Sequence, residues 1–350
     1  MRIALIRRAD ITSLDGVNGF IALLAEGLYK LGHEPTIMSL CHSEEVSRNE
    51  LGRWFKEMHG LDSELPITYL RDKPCQRDSL VKTFLEWYLN GGSSLKRLDI
   101  NAIIVNGVVP LCFKPKIAVA HGPIHQKSGW ERVLAKILYS TYDAVVCVSK
   151  KSESEYSGIV ACDMIIPLPM KLDLYRPRDV RENIIVHIGA RKNPHVSVKA
   201  VEILMSKGFE CQLYIIGSKN PRWEKLAEGK PYVHVLFNAS EKEKIDILCR
   251  AKALVLPSSG EAFSFTALEA MACGTPPVVS NVVPEEVVMD GFNGLRINSL
   301  DPKAYAEALK KLLTNSELWE TLRKNGLEFV KQFDYISIAR RYLNLINSLV

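Results

Sequence analysis

What this chain of 350 residues lacks narrows its function before any motif is read. It has no apolar run of about 18 residues, the least that crosses a bilayer as a helix. The opening MRIALIRRAD meets Arg7 and Arg8 too early for a signal peptide, so we read it as a strand. The eight cysteines form no Cys-x-x-Cys pair and have no grouped histidines beside them, which excludes a zinc knuckle and a disulfide framework. Several, such as Cys147 and Cys211, lie inside apolar runs and read as reduced core thiols of a cytoplasmic protein. Without an Asp-x-Asp motif, no obligatory divalent metal is expected. No Gly-x-Gly-x-x-Gly follows a strand, which argues against a dinucleotide-dependent dehydrogenase. No sign of charge dominates either. The net charge is +5, with 21 basic against 20 acidic residues before Tyr175 and 24 against 20 from there on. Nucleic acid is therefore not an expected partner. The small positive balance suits small anions, or a peripheral contact with the inner face of a membrane.

What is present is a soluble-protein composition, 47% hydrophobic and 24% charged, with no repeat or low-complexity tract. The length suits two domains of roughly 150–200 residues. Short apolar runs alternate with segments of helical period, the pattern of parallel sheets covered by helices. The first half carries strands in RIALIRR, PTIMSL, PITYL, NAIIVNG, KIAVAHG, DAVVCVS and MIIPLP. Helices fall at FIALLAEGLYKLG, SLVKTFLEWYLN and GWERVLAKILYSTY, the first closed by Gly32. The last is apolar enough to touch a membrane surface, although such a stripe more often faces a core. A proline-rich, charged stretch, IPLPMKLDLYRPRD, then reads as a linker. A second set of strands follows in NIIVHIGA, QLYIIG, VHVLF, KALVLPS, PPVVS and GLRI. The expected architecture is α/β, two Rossmann-like doubly wound parallel-sheet domains facing across a cleft. Their bounds are 1–172 and 173–335, with a last helix at 336–350 packing back on the first.

The most informative stretch runs from Leu254 to Asn281, LVLPSSGEAFSFTALEAMACGTPPVVSN. It reads as strand, small-residue loop, helix and strand, and such a loop feeding a helix N-terminus is where open α/β sheets hold phosphates. Glu261 lies in the loop and Glu269 on the helix. On one helix eight residues would separate them by about 12 Å along the axis and roughly 80° around it, so they are not a paired catalytic dyad. Thr266 and Glu269 also have the spacing of a helix capping box.

In this order the pieces resemble the retaining glycosyltransferases of family GT4, which have the GT-B fold. The resemblance runs end to end and is strongest at Glu261–Glu269, the family's E-x7-E motif. It is supported by DGVNG, His121-Gly122, AVVCVS, LPMKLDLYRP, HIGARKNP and VPEEVVMDGFNGLRI. The chain departs from the family pattern at Gly16-Val17-Asn18, at Ser264 and in the compressed turn Gly189-Ala190-Arg191-Lys192-Asn193.

The resemblance implies an enzyme moving a sugar from a nucleotide diphosphate sugar to an acceptor hydroxyl with retention. The acceptor would be a glycan, a lipid-linked compound or a small molecule, in cell-surface glycan, glycolipid or glycoprotein assembly. It implies that Glu261 meets the donor-sugar hydroxyls, Glu269 the ribose, and His121 the sugar near its reacting carbon. Backbone N–H groups of Ser264, Phe265 and Thr266 would meet a phosphate. Lys192, with Arg191 beside it, would offset the charge of the departing diphosphate. Gly16 and Val17, with Asn18, form a first-domain loop whose glycine lets backbone approach a donor phosphate or the acceptor, with Asp15 and His125 as weaker candidates. A front-face substitution is implied, in which positioning and leaving-group stabilisation replace a carboxylate nucleophile. The alternatives are a non-catalytic nucleotide-sugar-binding partner of another transferase, and a nucleotide-sugar epimerase on the same fold.

Overall fold

The structure, a computed structural model, describes residues 1–12, 16–42, 46–47, 49–71, 79–121, 128–189, 192–261 and 263–350. It divides into two compact units, one of Met1–Lys171 with Phe333–Val350 and one of Leu172–Gln332. In chain order the first unit holds β1 (Arg2–Asp10), α1 (Gly16–Lys30), β2 (Glu34–Cys41), α2 (Leu51–His59), β3 (Ile67–Tyr69) and α3 (Leu80–Glu86). A π turn at Trp87–Gly91 leads to α4 (Gly92–Arg97), β4 (Ala102–Asn106), β5 (Lys116–Ala120), α5 (Gly129–Tyr139), β6 (Ala144–Cys147), α6 (Lys150–Tyr156) and β7 (Met164–Ile165). The second unit holds β8 (Ile184–Ile188), α7 (Pro194–Ser206), β9 (Gln212–Gly217), α8 (Pro221–Ala227), β10 (Val233–Phe237) and α9 (Glu241–Arg250). It continues with β11 (Ala253–Leu256), α10 (Phe265–Ala272), β12 (Pro277–Ser280), β13 (Leu295–Ile297), α11 (Pro302–Thr314) and α12 (Ser316–Phe329). The chain then re-enters the first unit as α13 (Tyr335–Leu349).

Each unit is built on one parallel sheet. Among the described residues the first has seven strands in the order β3-β2-β1-β4-β5-β6-β7, the second six in the order β10-β9-β8-β11-β12-β13. Helices cover these sheets, so the strands are apolar on both faces: Ile3 to Ile6 and Leu254 to Leu256 are all buried. Strand order reverses between β1 and β4 in one sheet and between β8 and β11 in the other. Those two points, at the strands' carboxyl ends, are where such sheets open to ligands.

Two features depart from the pattern read in the sequence. The segment SLVKTFLEWYLN is α3 followed by the π turn, not one helix, and buried Trp87 there donates its indole N–H to the Arg8 carbonyl at 2.9 Å. The cysteines are not all reduced thiols. Cys147 and Cys162 are disulfide-bonded with Cα atoms 5.8 Å apart, because β6 and the approach to β7 bring together residues 15 apart in sequence. Cys41 is also disulfide-bonded.

The first unit is closed by α13 lying on α1. A Cβ at Gly27 would sit 2.7 Å from both the Ala339 Cβ and the Tyr335 carbonyl, so glycine allows this close approach. Beside it, the buried Lys171 ammonium lies 3.2 Å from a buried Glu26 carboxylate oxygen, donates to the Gly60 carbonyl at 2.9 Å and pairs with Asp62 at 2.6 Å. The ammonium holds the Asp62 carboxyl below its ordinary range, with Lys30 assisting.

Candidate active site

In the second unit the chain leaves β8 through Gly189, whose φ of +117° lies in the region that favours glycine. A Cβ there would meet the Lys192 side chain at 2.9 Å, so the glycine also makes room for the lysine stem to fold back. Beneath the turn, His187 is fully buried, with Nδ1 2.8 Å from the Ser197 hydroxyl and Nε2 3.3 Å from the Gly189 carbonyl. Burial pushes its pKa down to about 3, so the ring is neutral. Asn193, in the left-handed region, donates its amide to the Pro257 carbonyl at 2.8 Å and to the Ser259 hydroxyl at 2.7 Å. That ties the turn after β8 to the loop after β11. The loop is pinned from below by the Ser280 hydroxyl, which donates to the Ser258 carbonyl at 2.7 Å.

Held from both sides, Lys192 and Glu261 meet with Nζ 2.7 Å from Oε1, the carboxylate 11% exposed and the lysine 23%. Three residues on, Ser264 is the N-cap of α10 and its hydroxyl accepts from the Ala267 N–H. The first-turn N–H groups of Phe265 and Thr266 have no acceptor within the helix, so this end offers donors to an anion. Thr266 is the second helical residue and not the cap. The Thr266–Glu269 capping box read from the spacing is therefore not what holds Glu269.

Glu269 is held instead by Lys244 on α9. Its Oε1 lies 2.8 Å from the ammonium, which also pairs with Glu241 at 2.8 Å. Burial alone would lower Lys244, but the two carboxylates outweigh it and keep the ammonium above its ordinary range. Burial raises Glu241, with Lys244 opposing. Lys244 lies 25 residues before Glu269, on another helix, and nothing in its local sequence separates it from an exposed helical lysine.

The first unit brings its own candidates to the β1/β4 point. A pocket of about 220 Å³ lies over the ends of β1, β4 and β5 and is lined by Val17 and His121 among others. Phe20 packs edge-on against the His121 ring at 4.9 Å, and the Tyr156 hydroxyl donates to the His121 carbonyl at 3.1 Å. Gly16 and Val17 do not form a loop, because they are the first turn of α1. Helix start signals here were hidden by the glycine, which sequence reading assigns to a turn. Asn18 is buried on that turn and donates to the Ile11 carbonyl at 2.9 Å. Arg191, Asp15, Gly122 and His125 lie outside the described residues.

Residues 177–329 match the family described as Glycosyl transferases group 1. A glycosyltransferase of Methanocaldococcus jannaschii with no characterised activity is 29% identical over 234 residues, covering 63% of this chain and 65% of that protein. The GDP-mannose-dependent alpha-(1-6)-phosphatidylinositol dimannoside mannosyltransferase of Mycobacterium tuberculosis is 28% identical over 195 residues, 51% of each chain. The chain thus spans between half and two thirds of the length of these relatives. Among solved structures, sucrose-phosphate synthase from Thermosynechococcus elongatus superposes with a TM-score of 0.81 at 20% identity. It covers 100% of this chain and 99% of that one, a likeness of fold. With two parallel-sheet units of this topology the chain has the GT-B fold, and its second unit, over residues 177–329, is similar to the group 1 glycosyltransferases.

Proposed function

We propose that this protein is a retaining glycosyltransferase that moves a sugar from a nucleotide diphosphate sugar to an acceptor hydroxyl. The observation that carries the reading is the Lys192–Glu261 pair at the β8/β11 switch point, three residues before the N-terminus of α10. In this reading the diphosphate lies on the α10 N-terminus and Lys192, which offset its charge as it departs. Glu261 then exchanges its lysine contact for the donor-sugar hydroxyls. Glu269, oriented by Lys244, accepts from the ribose hydroxyls. Because lysine and helix end already supply positive charge at the diphosphate, the reaction is proposed to need no obligatory divalent ion.

The test is proton NMR of the purified protein with UDP-, GDP- and ADP-sugars, beside Glu261→Gln and Lys192→Met. Release of nucleoside diphosphate and of sugar first seen in the donor's anomeric form, lost in both variants, is the expected result. A new epimer on an intact nucleotide, or binding with no turnover when acceptors are supplied, would refute the proposal.

The acceptor side is proposed to work against a membrane, in the cytoplasm, within surface glycan or glycolipid assembly. No helix among the described residues is long and apolar enough to cross a bilayer. The α5 stripe, however, is not only core. Leu138 and Tyr139 face inward, while Trp130, Val133 and Ile137 stand outward, as do Val81, Leu85, Tyr88 and Leu89 on α3 and the π turn, all 53–68% exposed. Lys82, Arg132 and Lys136 are exposed on these helices. The acids there are engaged, Glu86 with Arg71 at 2.6 Å and Glu131 in its own helix cap at 2.7 Å. An apolar, cationic face complements an anionic bilayer. Co-sedimentation with phosphatidylcholine vesicles should therefore require added phosphatidylglycerol and fail for Leu85→Asp/Ile137→Asp. Equal recovery with and without the anionic lipid would reject the contact.

A further inference from the structure

The pocket of the first unit contains polar groups that the fold leaves unused. Asn106, at the carboxyl end of β4, is 7% exposed, and among the described residues neither its amide nitrogen nor its amide oxygen has a hydrogen-bond partner. Buried amides are almost always bonded, so an idle one facing a cavity calls for a ligand that both donates and accepts. Arg8, at the end of neighbouring β1, lines the same cavity. Its guanidinium pairs with no carboxylate among the described residues and lies 5.9 Å from the Phe84 ring. Burial, with Arg7 adding, pushes its pKa down, and the opposing pull of Tyr139, Glu131 and Tyr156 does not cancel it. Glu131, the acid in the lining, is engaged in the cap of α5.

The walls are apolar, with Leu80 and Phe84 from α3 and Leu134 from α5. They exclude water and strengthen any charge contact made inside. The loop after Asn106 is tied to Tyr142, whose hydroxyl accepts from the Val109 N–H at 2.9 Å and donates to its carbonyl at 3.0 Å. About 220 Å³ is room for one sugar-sized unit and too little for a nucleotide.

We infer that this pocket is the acceptor site and that it selects an acceptor carrying an anionic group, phosphate or carboxylate, on Arg8 beside a hydroxyl on Asn106. This rests on the transfer reading above, and His121 shares the cavity. The apolar wall covers the carbon face of the same unit. Arg8 and Asn106 are specificity-determining, and neither needs to move a proton.

Binding of D-glucose 6-phosphate, D-glucuronate and D-glucose to the full chain tests this by titration calorimetry at millimolar probe, with UDP measured on the same samples. At least one anionic probe should bind roughly tenfold or more tighter than glucose, and which of the two does so separates phosphate from carboxylate. Arg8→Gln should remove that preference, Arg8→Lys should keep part of it, and Asn106→Ala should weaken the preferred probe roughly tenfold. Circular dichroism and UDP binding would show that the variants are folded. Failure of both anionic probes, or a preference that survives Arg8→Gln, overturns the inference. If the wild type binds an anionic probe but no nucleotide, the anion site stands and the transfer reading falls.

Discussion

Replacing His187 by glutamine should make the second unit less sensitive to acid. The imidazole faces a carbonyl at Gly189, which only accepts, so the proton sits on Nε2 and Nδ1 accepts from the Ser197 hydroxyl. Its pKa is about 3 in the folded protein against 6.5 for a free histidine, burial being the main cause. The folded state therefore refuses a proton that the unfolded chain takes up between these values. Stability is full above about pH 6.5 and is lost as pH falls toward about 3, at close to 1.4 kcal/mol per unit from this one group. From about pH 6.5 to pH 5 the loss comes to roughly 2 kcal/mol. Glutamine preserves a donor and an acceptor but does not titrate. At neutral pH His187→Gln should cost about 1 kcal/mol through poorer hydrogen bonding. Its urea midpoint should then fall less than that of the wild type as the pH is lowered, the difference between the two slopes amounting to that 2 kcal/mol. Comparing slopes cancels the titration of the first unit, which both proteins share. Parallel pH profiles, or an NMR titration of His187 centred near 6.5, would refute the reasoning.

Gly189→Ala should force a left-handed backbone on alanine and press a methyl onto the Lys192 stem, costing about 1–3 kcal/mol. Calorimetry should also show weaker UDP binding, and unchanged affinity would mean that Lys192 does not depend on that turn. Lys171→Met leaves Glu26 charged and buried beside no ammonium, and a loss of about 3–5 kcal/mol in urea denaturation is expected. Adding Glu26→Leu should recover part of that loss, whereas two additive losses would show that the pair is not coupled.

How much of this was legible in the sequence follows from where the physics is local. Strands such as NIIVHIGA and KALVLPS announce themselves, because burial on both faces demands unbroken apolar runs. The start of α10 was legible because a small-residue loop before an apolar helix has few other uses. Short polar helices were not: α6, KKSESEY, carries too little apolar pattern, and α8 is one proline-started segment of seven residues. Glycine misled at Gly16, where turn and first helical turn look alike. Lys244, Arg8 and Asn106 were silent for another reason. Each matters through a partner, or the lack of one, brought near by a sheet crossover, and spacing along the chain carries no record of that.

The return of α13 to the first unit has a consequence for how the protein is made. Leu172–Gln332 is continuous and can fold as soon as it leaves the ribosome, whereas the first unit begins earlier but waits for Phe333–Val350. Until those residues emerge, the surface of α1 around Phe20 and Gly27 has no covering helix, and nascent chains should be exposed to chaperones there. Order of synthesis and order of completion are thus reversed, and a stalled or truncated chain would spoil the half of the molecule that was made first.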